Sequence, residues 1–345
     1  MTTINKQLFD DLISQHIDLG RYSSKQAADI VDLLKAAKGE ILAQIAATSD
    51  NRVFTKTRLN KLLKEISATI SDTYAEVGTQ LHDELNLFVA HAAEVSAATL
   101  ATQMPLEWSP YKLSKEQLAA IVSDTPITAG EGKLLFGEII KGYSDAMVRD
   151  ITGVVRMGMV LGESAHKIAS DTVGLLGELG TTDKHIRWAH NMTHTMVQSI
   201  NNNAAQATMA NNSEVLKGWT FISTFDSKTC SQCFSNSGKA FPLGQGPIPT
   251  LHVGCRCYQA PLVKSWKELG FDNVPEYPTG TRATSTGVVK ADLSFNDWLK
   301  GQPRRTQDEL LGPTRGKMFA DGKIKLDKFT DASGKLLTLE QLKVR

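Results

Sequence analysis

Apolar residues recur every three or four positions through the first half of this chain. The clearest run is Leu59, Leu63, Ile66, Ile70, Tyr74, Val77, Leu81, Leu85, Phe88, Ala92 and Val95, whose ten steps cover 36 residues. The mean step of 3.6 is the pitch of a straight α-helix rather than the 3.5 of a heptad coiled coil. It predicts one helix from about Thr55 to Thr102, roughly 70 Å long at 1.5 Å per residue. Such a rod exceeds a compact domain and reads as a spacer or rib lying along a partner, with Gly78 as the place where it could break. Upstream, Ile30, Leu33, Leu34, Ala37, Ile41 and Ile45 form a second amphipathic face. Ser23-x-x-Gln26 and Ser114-x-x-Gln117 have the form of capping boxes and predict helix starts.

Helical spacing resumes after Pro105, Pro110 and Pro126, through Leu134–Val155, then after Ser164, then from about Asp183 to Met209. Gly158 and Gly162 mark a turn between the first two. The pattern then changes: Trp219–Phe225 reads as a strand, followed by a loop rich in glycine and proline from Gly238 to Pro249. Val274–Arg282 reads as a linker. Beyond it, Phe295–Lys300 and Gln307–Met318 look helical, and Leu336, Leu337, Leu339 and Leu342 close the chain.

Composition narrows the picture modestly. A chain of 345 residues can bury sizeable cores, and a formal charge of +1 supplies no global polycation for nucleic acid. The beginning lacks a basic segment followed by an apolar run, and no apolar stretch is long enough to span a bilayer. The expected location is a reducing cytoplasm, or a particle assembled there, where clustered cysteines serve as ligands rather than disulfides.

All four cysteines lie in one 28-residue stretch, Cys230-Ser-Gln-Cys233 and His252-Val-Gly-Cys255-Arg-Cys257. The pattern C-x2-C-x18-H-x2-C-x-C puts two thiolates on one turn and offers a histidine and two more thiolates on another. Together they can close a tetrahedron around a soft divalent ion, Zn²⁺ first among them. Five donors serve four places. Cys255 and Cys257 share a face if the chain is extended and diverge if it turns, so the spacing leaves open which donor is spare. Four protein ligands leave no place for water, so the expected role is folding rather than catalysis. The rival reading is a reduced cluster, or a disulfide formed only in a mature particle. Asp226 can accept first-turn N–H groups or be an exposed loop acid, and Arg256 can offset thiolate charge or be ordinary surface.

Other chemistry weighs less. His82-Asp-Glu84 lies in the long helix, and Thr229 stands where a zinc deaminase has proline. No H-E-x-x-H occurs. His190 and His194 are four apart, with His185 nearby, but no further donor completes a set; they read as ordinary surface or core histidines. Gly174-Leu-Leu-Gly177-Glu-Leu-Gly180 has no preceding strand and reads as a helix end and turn. The tail cations Arg304, Arg305, Arg315, Lys317, Lys323 and Lys325 interleave with Asp308, Glu309, Asp321 and Asp327, as on a solvated face. The fold class expected is therefore mainly α: a long-helix region (1–105), a helical region (106–217), a small α+β zinc-stapled module (218–261), and a linker with a short C-terminal segment (262–345).

Gly218-Trp219, the strand to Phe225, Asp226-Ser-Lys-Thr-Cys-Ser-Gln-Cys233, Gly238-Lys-Ala-Phe241, Pro249-x-x-His252 and Cys255-Arg-Cys257 together resemble the signature of tailed-phage minor head proteins. This is the head-morphogenesis family typified by protein F of phage Mu. Trp298-Leu-Lys-Gly-Gln-Pro303, Leu310-Leu-Gly312 and Arg315 are similar to the segment downstream of that signature in such proteins. The chain departs from the family at His190-Asn-Met-Thr-His194, where members often carry Arg-Thr-Glu. The resemblance spans Gly130–Leu342 in outline and is motif-level only from Gly218 to Cys257.

It implies a non-enzymatic virion component in the phage head, assembled in the host cytoplasm and needed for head morphogenesis, DNA packaging or DNA ejection. Its implied partners are the portal protein or major capsid protein, with phage DNA as a further one, and several copies per virion. Two other classes remain open at this stage. One is a DNA-binding protein using the zinc module; the other is a toxin-like enzyme attached to a head module, although the tail after Pro261 shows no acid/base constellation.

Overall fold

The computed structural model describes residues 6–47, 55–104, 108–129, 132–175, 177–225, 229–270, 272, 281–284, 287–290, 293–326, 329 and 337–343. It is mainly helical, with long N-terminal helices and a small sheet region. Helix α1 spans Lys6–Ala46 and α2 Lys56–Ala101. They are followed by α3 (Lys115–Ser123), a hairpin of β1 (Ile127–Ala129) and β2 (Gly132–Leu134), α4 (Phe136–Leu161), α5 (Ala165–Val173) and α6 (Thr181–Asn211). Among the described residues no helix is long and apolar enough to cross a membrane. By contacts the chain divides into two units, one of Met1–Gly20, Phe88–Ile121 and Gln198–Arg345, the other of Arg21–Leu87 and Val122–Val197.

The second unit is a packing of helices. Ile30, Leu34, Ile41 and Ile45 of α1 and Ile66, Ile70, Tyr74, Val77, Leu81 and Leu85 of α2 are buried, as their 3.6-residue spacing requires. The α2 rod runs unbroken through Gly78. A Cβ there would lie 3.2 Å from Ile140 Cγ2 of α4, so the glycine serves a close helix approach rather than a break. The expected helix start at Ser23 is also corrected, because α1 continues through it. The would-be capping side chains are used laterally: Ser23 Oγ lies 2.8 Å from His194 Nδ1, and Gln26 Nε2 donates to Glu84 Oε2 at 3.2 Å. A hydrogen bond to a neighbouring helix has replaced one to the helix's own first turn.

Local signals hold at other helix ends. Gln117 N donates to Ser114 Oγ at 3.2 Å and Ser114 N to Gln117 Oε1 at 2.9 Å, a complete capping box for α3. Ser164 caps α5 through Lys167 N, Gly162 ends α4 and Gly174 ends α5. The β1–β2 hairpin, three residues a strand, carried no pattern long enough to announce itself.

The first unit carries the sheet. Strand β3 (Leu216–Ile222) lies between β4 (Ala240–Phe241) and β5 (Tyr258–Val263), antiparallel to both, with Trp219 opposite Phe241 and Pro261. Between β3 and β4 sits the short helix α7 (Ser231–Asn236). Strands β6 (Thr281–Thr284) and β7 (Gly287–Lys290) pair as a hairpin where a linker was expected to reach Arg282. The rest of that linker from Val274, Asp226 and Leu336 lie outside the described residues. Helices α8 (Phe295–Lys300), α9 (Arg304–Leu311), α10 (Pro313–Ala320) and α11 (Leu339–Lys343) follow. The single helix expected over Gln307–Met318 is two, because Pro313 cannot continue α9 and instead opens α10.

Two cores result. One joins Leu100, Met209, Leu216, Trp219 and Phe221 to Cys233, Cys255 and Cys257. The other gathers Phe225, Phe234, Phe295, Trp298, Leu310 and Phe319, with Phe295 stacked 5.0 Å from Phe234 and edge-on to Phe225 at 4.7 Å.

Candidate metal centre

Each half of the cysteine pattern is a turn whose geometry follows from its sequence. Cys230 is the N-cap of α7, and its sulfur accepts a bond from Cys233 N at 3.4 Å, so a two-residue spacing brings both sulfurs to the helix start. In the second half, Cys255 N donates to His252 O at 3.1 Å, closing the turn His252-Val-Gly-Cys255. Gly254 sits third in that turn with φ +75°, the left-handed conformation that glycine adopts without steric cost. The turn returns His252 and Cys255 to the same side.

The structure brings all five donors together. Cys230, Cys233 and His252 form one group, and Cys233, Cys255 and Cys257 another; within each, the candidate ligand atoms lie within 4.8 Å of one another. His252 Nε2 is 3.1 Å from Cys230 Sγ and 3.3 Å from Cys233 Sγ, and Cys233 Sγ is 3.7 Å from Cys255 Sγ. Cys233 thus belongs to both groups. The sulfurs are free thiols, since a disulfide would hold them about 2.05 Å apart. His252 Nδ1 faces Val253 O at 2.9 Å, which makes Nδ1 the protonated nitrogen of the neutral ring and turns the Nε2 lone pair toward the sulfurs.

Without a cation, five such groups cannot all carry the charge they would carry as ligands. Cys233, Cys255 and Cys257 are buried, and Cys230 is half-buried. Hydrogen bonds from Cys233 hold the Cys230 and Cys255 thiols well below the usual thiol range. Cys233 is pushed up in turn by those same bonds to Cys230 and Cys255. For Cys257, the Cys233 bond pulls down, but the Cys255 thiolate and burial outweigh it and the thiol is raised. The sulfurs of Cys230 and Cys255 push His252 up to about 11. Protons on Cys233, Cys257 and His252 therefore occupy positions that a divalent cation would take.

Buried amides hold the cluster in place from behind. Gln198 Nε2 and Asn202 Nδ2 of α6, one turn apart, both donate to Cys257 O at 3.1 and 3.0 Å, and Gln259 Nε2 donates to Asn202 O at 2.9 Å. Sequence reasoning missed these residues; the available signal was a run of amides on a face of α6 otherwise spaced for burial. In front, Trp219 Nε1 donates to Gln245 O at 3.1 Å and the Trp219 ring lies 4.9 Å from Phe241. These contacts order the glycine- and proline-rich loop between the two halves.

The histidines that the sequence singled out elsewhere need no metal. His185 is fully buried, with Nε2 3.2 Å from Asp150 Oδ2, and His194 bonds Ser23. Among the described residues no third donor joins His190 and His194. His82 Nε2 lies 3.3 Å from Ser123 Oγ, a contact reminiscent of a nucleophile and its base. Asn86 Nδ2, however, donates to His82 O at 2.8 Å and faces His82 Nδ1 at 3.2 Å. Asn86 Nδ2 also lies 3.4 Å from His82 Nε2, so one amide crowds both ring nitrogens and the ring is not held in one tautomer as a catalytic base is. The glycines from Gly174 to Gly180 form the turn between α5 and α6, as expected.

The chain matches no protein-family model, no curated protein and no solved structure in comparisons with each.

Proposed function

We propose that this chain is a structural minor head protein of a tailed bacteriophage, stapled by one Zn²⁺ and acting by binding portal or capsid subunits. The observation that carries the reading is the convergence of Cys230, Cys233, His252, Cys255 and Cys257 within the frame that resembles the head-morphogenesis signature. The other residues of that frame have structural tasks in the same place: the Trp219 and Phe241 rings pack against each other across β3 and β4, and Gly218 admits the Phe241 carbonyl.

Zinc is supported by the donor set and the spacing. Thiolates and imidazole favour soft or borderline ions, and a tetrahedral Zn²⁺ with bonds of about 2.3 Å sets its sulfurs about 3.8 Å apart. The Cys233–Cys255 separation of 3.7 Å fits that edge. Sulfur and imidazole donors fill the ion's positions, so its role is to fold the module. In the tail, Arg304 pairs with Asp308 and Arg305 with Glu309, each at 2.8 Å, which favours a solvated face over phosphate binding.

Mass spectrometry of gradient-purified phage heads, with a binding assay against the portal protein of the same phage, tests the reading. Presence in heads and saturable portal or capsid binding is expected. Absence from heads together with no binding to either would overturn it.

A further inference from the structure

Four buried polar atoms that have no hydrogen-bond partner among the described residues line one cavity of the first unit. They are His16 Nδ1 on α1, Asn202 Oδ1 and Thr208 Oγ1 on α6, and Gln259 Oε1 on β5. Asn202 is fully buried, and Thr208 and Gln259 are nearly so. A buried polar atom left without a partner is costly, and proteins almost always supply one from their own groups or from ordered water.

Neither amide can turn to find a partner. Asn202 Nδ2 donates to Cys257 O at 3.0 Å, and Gln259 Nε2 donates to Asn202 O at 2.9 Å. Rotating either amide by half a turn would set its oxygen against a carbonyl oxygen, so both amide oxygens must face away from these bonds. Thr208 is exceptional on its own helix. Thr193 and Thr195 donate to the carbonyls of Ala189 and Asn191, four residues back, at 2.9 and 2.8 Å, whereas the Thr208 hydroxyl makes no such bond. The His16 ring lies 5.1 Å from that of Tyr258, a contact that gives Nδ1 no partner.

The cavity's size and lining define what it takes. Its volume is about 40 Å³. That is far below the roughly 300–1,000 Å³ of sites that hold a metabolite or cofactor, but enough for about three waters at about 10–15 Å³ each. No carboxylate, lysine or arginine lines it, so an ion would sit there uncompensated. The two amide oxygens can only accept, so the occupant must donate. We propose that the cavity is an internal hydration site, in which about three ordered waters bridge His16, Asn202, Thr208 and Gln259. They join α1 to α6 and β5 where direct bonds are missing. Because the same Asn202 holds Cys257 O and is itself held by Gln259, the waters brace the amides behind the cysteine cluster from their far side.

A crystal structure of the full chain, at a resolution that shows ordered solvent, tests this, together with the same crystals under xenon pressure and a Thr208→Val variant. Water density within hydrogen-bond reach of Asn202 Oδ1, Gln259 Oε1, Thr208 Oγ1 and His16 Nδ1 is expected in the native chain. Xenon, which enters dry apolar cavities, should stay out. Thr208→Val keeps the side-chain shape and removes one partner, so it should lose the water at that position and keep those at the two amides. Should the variant fail to fold, the native density and the xenon result still decide. An empty cavity, xenon within it, an ion or organic molecule in place of water, amides re-paired with other protein groups, or a variant with unchanged water would each overturn the proposal. None of these outcomes depends on whether the protein belongs to a phage head or binds a metal.

Discussion

Cys233 and Phe234, consecutive residues of α7, are buried in two different cores: the cysteine sulfur among Trp219, Phe221, Cys255 and Cys257, the phenylalanine ring among Phe225, Phe295 and Trp298. One turn of helix therefore belongs to the sheet on one side and to the C-terminal helices on the other. Whatever fixes Cys233 also fixes Phe234, so a metal bound at this site would stabilise more than its own loop.

Chelation, or Cys233→Ser, should loosen both cores together. Tryptophan emission from Trp219 and Trp298 would shift to the red in one step, because metal affinity at such a site is folding free energy. Far-UV circular dichroism should change little, since α1, α4 and all of α2 but its last turns lie outside these two cores. Retention of both tryptophan environments after complete chelation would show that α7 does not need the ion.

Phe295→Ala separates the cores. It removes the ring that touches Phe225, Phe234 and Trp298. A loss of about 3–5 kcal/mol is expected, as for other buried aromatics cut to alanine. Metal stoichiometry, measured on the folded variant, should not change.

Asn202→Ala leaves the Cys257 carbonyl with Gln198 as its remaining side-chain donor from α6. Because Gln198 still satisfies that carbonyl, the expected cost is the net worth of one hydrogen bond, about 0.5–1.5 kcal/mol. Metal affinity should fall about 10-fold or more, because groups that orient ligands tune the site nearly as strongly as ligands do. Competition with a chromophoric chelator measures it.

Gly218→Ala would drive a Cβ to 2.1 Å from Phe241 O, a backbone atom that cannot swing aside. The β3–β4 pairing must open, and thermal unfolding should show a loss larger than at Gly78, where the nearest atom is a side-chain methyl at 3.2 Å.

Acidification should release the metal. In the metal-free cluster His252 keeps its proton up to about 11, and Cys233 and Cys257 are raised as well, so binding near neutrality displaces protons. Affinity therefore rises with pH below that range and falls as pH drops. Calorimetric titrations in buffers of different ionisation enthalpy should report net proton release; proton uptake would reverse the assignment.

The sequence was most legible where one local force decides. The α2 pitch was readable because burial of one face, repeated over eleven positions, leaves no alternative period. The Ser114 box formed even though Asn211 of α6 competes for the Gln117 amide, because Gln117 Oε1 can accept from Asn211 and from Ser114 N together. At Ser23 and Gln26 His194 and Glu84 won that competition, and nothing in the local pattern records a partner well over fifty residues away. Gly78 looked like a weakness for a similar reason, its cause being Ile140 on another helix. For the candidate metal centre, the donor types were plain from spacing, whereas the turn that brings both Cys255 and Cys257 to Cys233 depends on Gly254 and on amides from α6. Two-residue and four-residue strands such as β4 and β6 carry too few positions for a period to show.

The most direct test of the central claim is metal analysis of the native full-length chain by mass spectrometry, set beside that of Cys233→Ser. One zinc per native chain, none in the variant, and protease cleavage within 218–261 appearing only in the variant is the predicted result. A native chain that carries no metal yet resists cleavage across that segment would contradict it.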